Sequence, residues 1–209
     1  MCGFESRRAH VTVPDPRGYP WAEPAVTGVL GPDGTVRQAP YDVGPGRVPL
    51  LAVGSNASPT VLLRKLGPLL AAGLPVGTAR VTGLGVGHSA HVSAGGYVPA
   101  APFAAPGAPE VEVAVAWPDP EQLAALDATE PNYVRVRVDV GCTLPDGCAL
   151  EGAQVYDSRH GVLGAGEGPL PLTSQDGVLA WLAERLPAWV TPTAATLRAA
   201  GLALASGLR

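Results

Sequence analysis

Hydrophobic and polar positions fall into a few short, distinct patterns along this chain. Residues 48–53 (Val48-Pro49-Leu50-Leu51-Ala52-Val53) are almost wholly apolar. The run is short and reads as a strand covered on both faces. Gly54 ends it. Ser58 is a good N-cap, and Pro59 suits the first helical position. Val61, Leu62, Leu66, Leu69 and Leu70 then recur at helical spacing, predicting a helix over 60–70. Gly54, Ser55 and Asn56 therefore occupy a tight strand-to-helix corner.

Further along, 76–91 carries Val81, Leu84 and Val86 among glycines, the signature of a bent or bulged strand. A Gly-Gly-Tyr-Val-Pro segment at 95–99 leads into a Pro/Ala loop reaching Pro109. In 110–117, Val111, Val113 and Val115 alternate with Glu112, Ala114 and Ala116, predicting a strand with one buried face. Asp119 and Pro120 open a short helix anchored by Leu123 and Leu126 that runs out near Glu130-Pro131. Val134, Val136, Val138 and Val140 face one way from a strand over 133–140, with Tyr133, Arg135, Arg137 and Asp139 on the other face. A turn at Pro145-Asp146-Gly147 returns the chain into a strand over 152–158. Thr173 and Asp176 have capping-box spacing ahead of the stripe Val178, Leu179, Leu182 and Leu186. Thr191-Pro192 opens a last helix that ends near Ala205. Five or six strands with four short, irregularly placed helices do not suit a doubly wound parallel sheet. They predict an α+β fold: a mixed, strongly twisted, barrel-like sheet with peripheral helices.

Composition refines this picture. Gly (27) and Pro (23) are abundant, so turns are many and long helices are not expected. They crowd residues 1–46, which read as an arm anchored by Tyr19, Trp21 and Tyr41, with Pro32-Asp33-Gly34 a turn between two short extended pieces. The expected organisation is this arm, a main domain over 47–165, and a C-terminal helical pair over 166–209 packed on the same domain. The net charge of −4 comes without a basic stripe, which argues against a nucleic-acid partner. No apolar run has membrane-spanning length, and no secretory h-region follows the first residues. Cys2, Cys142 and Cys148 are too sparse for a disulfide framework, so free thiols in a cytoplasmic protein are expected. Lys65 is the sole lysine.

Candidate chemistry centres on the corner. Its backbone amides lie at a helix N-terminus and suit a carboxylate or a developing oxyanion. A purely structural Gly-Asn turn is the alternative. Neither a phosphate loop nor a nucleophile elbow is present. His88 and His91 have no evident third partner for a metal. Asp157, Ser158 and His160 are adjacent in sequence, which is not triad geometry. Trp181 and Trp189 read as helix-packing residues.

Two segments, Val53-Gly54-Ser55-Asn56 and the run from Leu123 through Asp127, Glu130 and Tyr133 to Arg135, resemble the γ-glutamylcyclotransferase-like superfamily. The first resembles its Tyr-Gly-Ser/Thr loop, and the second its Leu-Asp-x-x-Glu run leading to Tyr-x-Arg. Gly95 to Ala100 looks like its middle strand, and the resemblance covers about 48–160. It implies cyclising cleavage of a γ-glutamyl amine or γ-glutamyl amino acid to 5-oxoproline and a free amine, on a small-molecule substrate with no cofactor and no metal. By position Glu130 is the proton-moving catalytic acid, and Val53, Gly54, Ser55, Asn56 and Tyr133 are the substrate-binding set. Two departures stand out: Val53 replaces the usual loop tyrosine, and Tyr133 follows Glu130 at a short distance. A binding protein that keeps the fold and cavity without catalysis is the alternative. If Glu130 is merely structural, it is a solvated helix-terminal residue or the expected ion-pair partner of Arg135 or Arg137.

Overall fold

The computed structural model describes residues 15–21, 23, 26–38 and 43–209. Cys2 and Tyr41, expected as a free thiol and an arm anchor, lie outside them. The fold is α+β. Strands β1 (Gly28–Leu30) and β2 (Val36–Arg37) form a hairpin, followed by β3 (Leu50–Ala52) and helix α1 (Pro59–Leu66). Next come β4 (Leu74–Thr82), β5 (Leu84–His88), β6 (Ala100–Ala104), β7 (Val111–Ala116) and α2 (Pro120–Ala128). Strands β8 (Tyr133–Arg137), β9 (Gly141–Thr143), β10 (Gln154–Ser158), β11 (Val162–Ala165) and β12 (Gly168–Pro169) precede α3 (Gln175–Ala183), α4 (Ala194–Ala199) and β13 (Ala203–Leu204).

The main sheet runs β2-β1-β4-β7-β3-β10-β8, with β9 also pairing β4. Only the β3–β10 pair within it is parallel, so the sheet is mixed. It is open: among the described residues β2 and β8 are unjoined edges, which corrects the expectation of a barrel-like closure. The hairpin β1–β2, from within the expected arm, extends this sheet through β4, and its turn is Pro32-Asp33-Gly34 as read.

Strand β3 sits between two neighbours, and Leu50, Leu51 and Ala52 are all buried, as an apolar run without alternation requires. Leu50 joins Leu62, Leu66, Leu70, Leu123 and Leu126 in the layer beneath α1 and α2. Leu51 packs on the other face with Val81, Val113, Val115 and Val155. The C-terminal elements close a third cluster around Leu163, Val178, Leu182 and Leu197.

Several boundaries moved, each for a local reason. Residues 76–91 are two strands, because Gly83 adopts φ +79° between β4 and β5. The Pro/Ala segment after Pro99 is not a loop: 100–104 form β6, paired antiparallel to β5. Residues 95–97 form the turn before it, where the middle strand had been expected. The first helix stops at Leu66, since Gly67 takes φ +49°, and a 3-10 turn carries the chain to Ala72. Ser174, not Thr173, caps α3, its Oγ accepting from Gly177 N–H. Thr193 caps α4, which ends at Ala199 and yields to β13. Trp189 is 84% exposed, so it is not a packing residue. Among the described residues no helix is long and apolar enough to cross a membrane.

Candidate active site

The site is built where β3 ends. Its last residues lead through Gly54 into a 3-10 turn over Ser55–Ala57, closed by Ala57 N–H to Gly54 O (2.9 Å) and Ser58 N–H to Ser55 O (3.1 Å). Ser58 Oγ then accepts from Val61 N–H at the start of α1, as its sequence context predicts. The same hydroxyl donates to the Glu23 carboxylate, which ties the arm to the corner.

Glu130 arrives from the other direction. Helix α2 begins with a capping box between Asp119 and Gln122 and ends at Ala128. Glu130 N–H then donates to Asp127 O (3.1 Å), and Tyr133 N–H to Glu130 O (3.0 Å). This turn lowers the carboxylate toward the corner. Lys65 Nζ, on the last turn of α1, donates to Glu130 Oε1 at 2.6 Å. Asn56 Nδ2 donates to the same oxygen at 3.0 Å, and Lys65 also reaches Asn56 Oδ1 at 2.7 Å. The three side chains thus form a closed triangle. Glu130 Oε2 takes part in no hydrogen bond among the described residues.

These groups line a cavity of about 220 Å³ with Val53, Gly54, Ser55, Tyr19, Tyr97, His91, Asn132 and Tyr133. Drug-sized ligands usually occupy roughly 300–1,000 Å³, so this cavity suits a ligand of amino-acid size. Among the described residues its lining carries the cations Arg64 and Lys65 against one carboxylate, Glu130. That balance favours a ligand bearing negative charge.

All six residues read from the sequence as site residues, Glu130, Val53, Gly54, Ser55, Asn56 and Tyr133, line this one cavity. Tyr133 Oη donates to Ala100 O (2.8 Å), and burial pushes its phenol well above the ordinary range. The expected ion pair of Glu130 with Arg135 or Arg137 is absent. Arg135 instead forks onto Asp127, with Nε–Oδ1 and Nη2–Oδ2 both 2.9 Å. Tyr156 Oη also donates to Asp127, and these bonds, Arg135 foremost, hold the Asp127 carboxyl below its usual range.

Three partners escaped the sequence reading. Lys65 stood out from the sequence only as the sole lysine, with no role attached. His91 is nearly buried, with Nδ1 2.6 Å from Ser89 Oγ, which in turn lies 2.6 Å from Ser158 Oγ. Burial, aided by nearby His160, pushes His91 down to about 4. Tyr19 enters from the arm and is only 4% exposed. Asp157 pairs with Arg209 rather than His160, and His160 bonds Asn132, so no triad forms. Among the described residues no group of three or more His, Cys, Asp or Glu side chains is placed to hold a metal ion.

No protein-family model matches this chain, and no curated protein does. Among solved structures, the chain is similar to one described as a gamma-glutamyl cyclotransferase, with a TM-score of 0.42 and 19% identity. That likeness covers 54% of this chain and 66% of the other. It is also similar to a human protein described as uncharacterized, with a TM-score of 0.42 and 21% identity over 54% of this chain and 67% of that one.

Proposed function

We propose that the protein cleaves a γ-glutamyl amine or γ-glutamyl amino acid by cyclisation, releasing 5-oxoproline and the free amine. One observation carries this reading: Glu130 has one oxygen anchored by Lys65 and Asn56 and the other without a hydrogen bond among the described residues, in a small cavity beside the Gly54–Asn56 corner. A carboxylate held this way can accept a proton on Oε2 without changing position. The substrate's α-amine attacks its own γ-carbonyl carbon, forming the ring C–N bond. Glu130 takes the proton that the amine loses. As the original amide C–N bond breaks, Glu130 returns that proton to the departing nitrogen, so no net proton is consumed. Arg64 and the corner offer charge and hydrogen bonds to the substrate's carboxylate and carbonyl oxygens.

A second reading has an observation of its own. The ion pair with Lys65 gives Glu130 a structural partner, which fits a binding protein that keeps the cavity without catalysis. Incubating the protein with a panel of γ-glutamyl amines separates the two. Release of 5-oxoproline supports cyclisation, binding without turnover supports the second reading, and release of free glutamate marks hydrolysis instead.

A further inference from the structure

Tyr19 comes from the arm, yet its hydroxyl reaches the centre of the cavity wall. Its ring stacks on Tyr97, with centroids 4.5 Å apart at 16°. Trp21 packs edge-on against both, at 5.0 and 5.1 Å. The phenol oxygen accepts from Ala100 N–H at 2.8 Å. A Cβ at Gly54 would stand 2.6 Å from this oxygen, so the corner's glycine is what lets the phenol approach. The phenol oxygen is thus held between the first residue of β6 and the corner.

A phenol oxygen that accepts a backbone N–H keeps its own O–H as a donor. No described residue accepts that proton. Tyr19 lines the cavity, so the proton is free to meet an oxygen of a bound molecule. Donation into the phenol oxygen polarises the O–H and strengthens it as a donor. We propose that Tyr19 is a substrate-binding and specificity-determining residue, whose hydroxyl donates to a carboxylate or carbonyl oxygen of the ligand in this cavity. For the identity of that ligand this rests on the γ-glutamyl reading above. Burial keeps the phenol protonated far above neutral pH, so the donor persists across the working range.

The assignment changes the expected role of the corner. Beside its own backbone amides, the corner then presents a side-chain donor from the arm. The arm thereby becomes part of the pocket, and a chain lacking it would have an incomplete site.

The test uses the full chain and Tyr19→Phe, which keeps the ring and its stack. L-Glutamate and 5-oxo-L-proline are the binding probes, measured by calorimetry, and near-ultraviolet circular dichroism reports the Trp21–Tyr97 packing. The expected result is intact packing with affinity for at least one probe lowered about 5- to 10-fold, the worth of one hydrogen bond. On a substrate that the wild type turns over, the rate should fall by roughly 10²-fold. Equal affinity in the two proteins overturns the proposal, as does the absence of binding of either probe to the wild type. Tighter binding in Tyr19→Phe also overturns it, because the phenol would then only be blocking the Ala100 amide. If the aromatic packing is lost in Tyr19→Phe, the proton resonances of Tyr19 in the wild type decide instead. A hydroxyl signal that moves on adding the probe supports the contact, and one that does not move overturns it. A wild type that binds L-glutamate through Tyr19 but forms no 5-oxoproline would remove the proposed reaction and leave this inference standing.

Discussion

Lys65 Nζ lies 2.6 Å from Glu130 Oε1, joining the end of α1 to the turn after α2 across 65 residues of sequence. Both side chains are mostly enclosed, at 13% and 14% exposure. The pair sits between a solvent-screened surface bridge and a desolvated one. It fixes one carboxylate oxygen in the cavity lining and leaves the other without a hydrogen bond among the described residues.

Removing the amine should therefore harm both stability and turnover. Lys65→Met should lose about 2 kcal/mol in chemical denaturation, intermediate between exposed and fully buried pairs. Turnover should fall with little change in KM, because the carboxylate loses position more than the substrate loses contacts. Lys65→Arg retains the charge and should recover part of both. A Lys65→Met protein with wild-type kcat would show that the pair has no part in positioning Glu130.

Much of this site was legible in sequence because its parts are local. A strand ending at Gly54, the Ser58–Pro59 helix start and the Asp119–Pro120 cap are short-range signals, and each places a site residue at an element's end. Lys65 was not legible as a partner of Glu130, because their meeting depends on how α1 and α2 pack together. Arg135, closer in sequence, looked like the better partner, but the β8–β10 pairing sets it beside Asp127, Gln154 and Tyr156. Tyr19 was legible only as an anchor, since nothing local in a proline-rich arm says which surface it covers. Strand β6 was missed because Pro102 and a run of alanines carry no alternation. It is held instead by five paired positions with the glycine-rich β5.

The corner is predicted to be tight enough to exclude a methyl group. Gly54 has φ −137°, outside the left-handed range that by itself reserves a position for glycine. Its Cβ would nevertheless meet Tyr19 Oη at 2.6 Å and Ala100 Cβ at 3.2 Å. Gly54→Ala should cost about 1–3 kcal/mol through overpacking. In a Tyr19→Phe background the cost should shrink by at least about 0.5 kcal/mol, a coupling visible in a double-mutant cycle. Strict additivity of the two substitutions would place the phenol away from Gly54.

Two enclosed histidines make the fold acid-sensitive. Burial pushes both His88 and His91 from an ordinary 6.5 down to about 4. Between these values the unfolded chain binds protons that the native protein does not. Their contribution is thus complete above pH 6.5 and is lost as pH falls through the window toward 4. The denaturation midpoint should hold steady from pH 8 to 7 and fall between pH 6 and 4.5, with a shallower fall in His91→Gln. A midpoint unchanged across that window would mean that these imidazoles accept protons in the folded state.

The central claim is that Glu130 moves the protons of a cyclising cleavage. The most direct measurement is 5-oxoproline formation by Glu130→Gln beside the wild type, on a γ-glutamyl amine that the wild type cleaves. Glutamine keeps the size and one acceptor oxygen but removes the basic carboxylate. The account predicts turnover lowered by about 10²-fold or more, with binding of an unreactive γ-glutamyl analogue retained. Undiminished turnover in Glu130→Gln would contradict it.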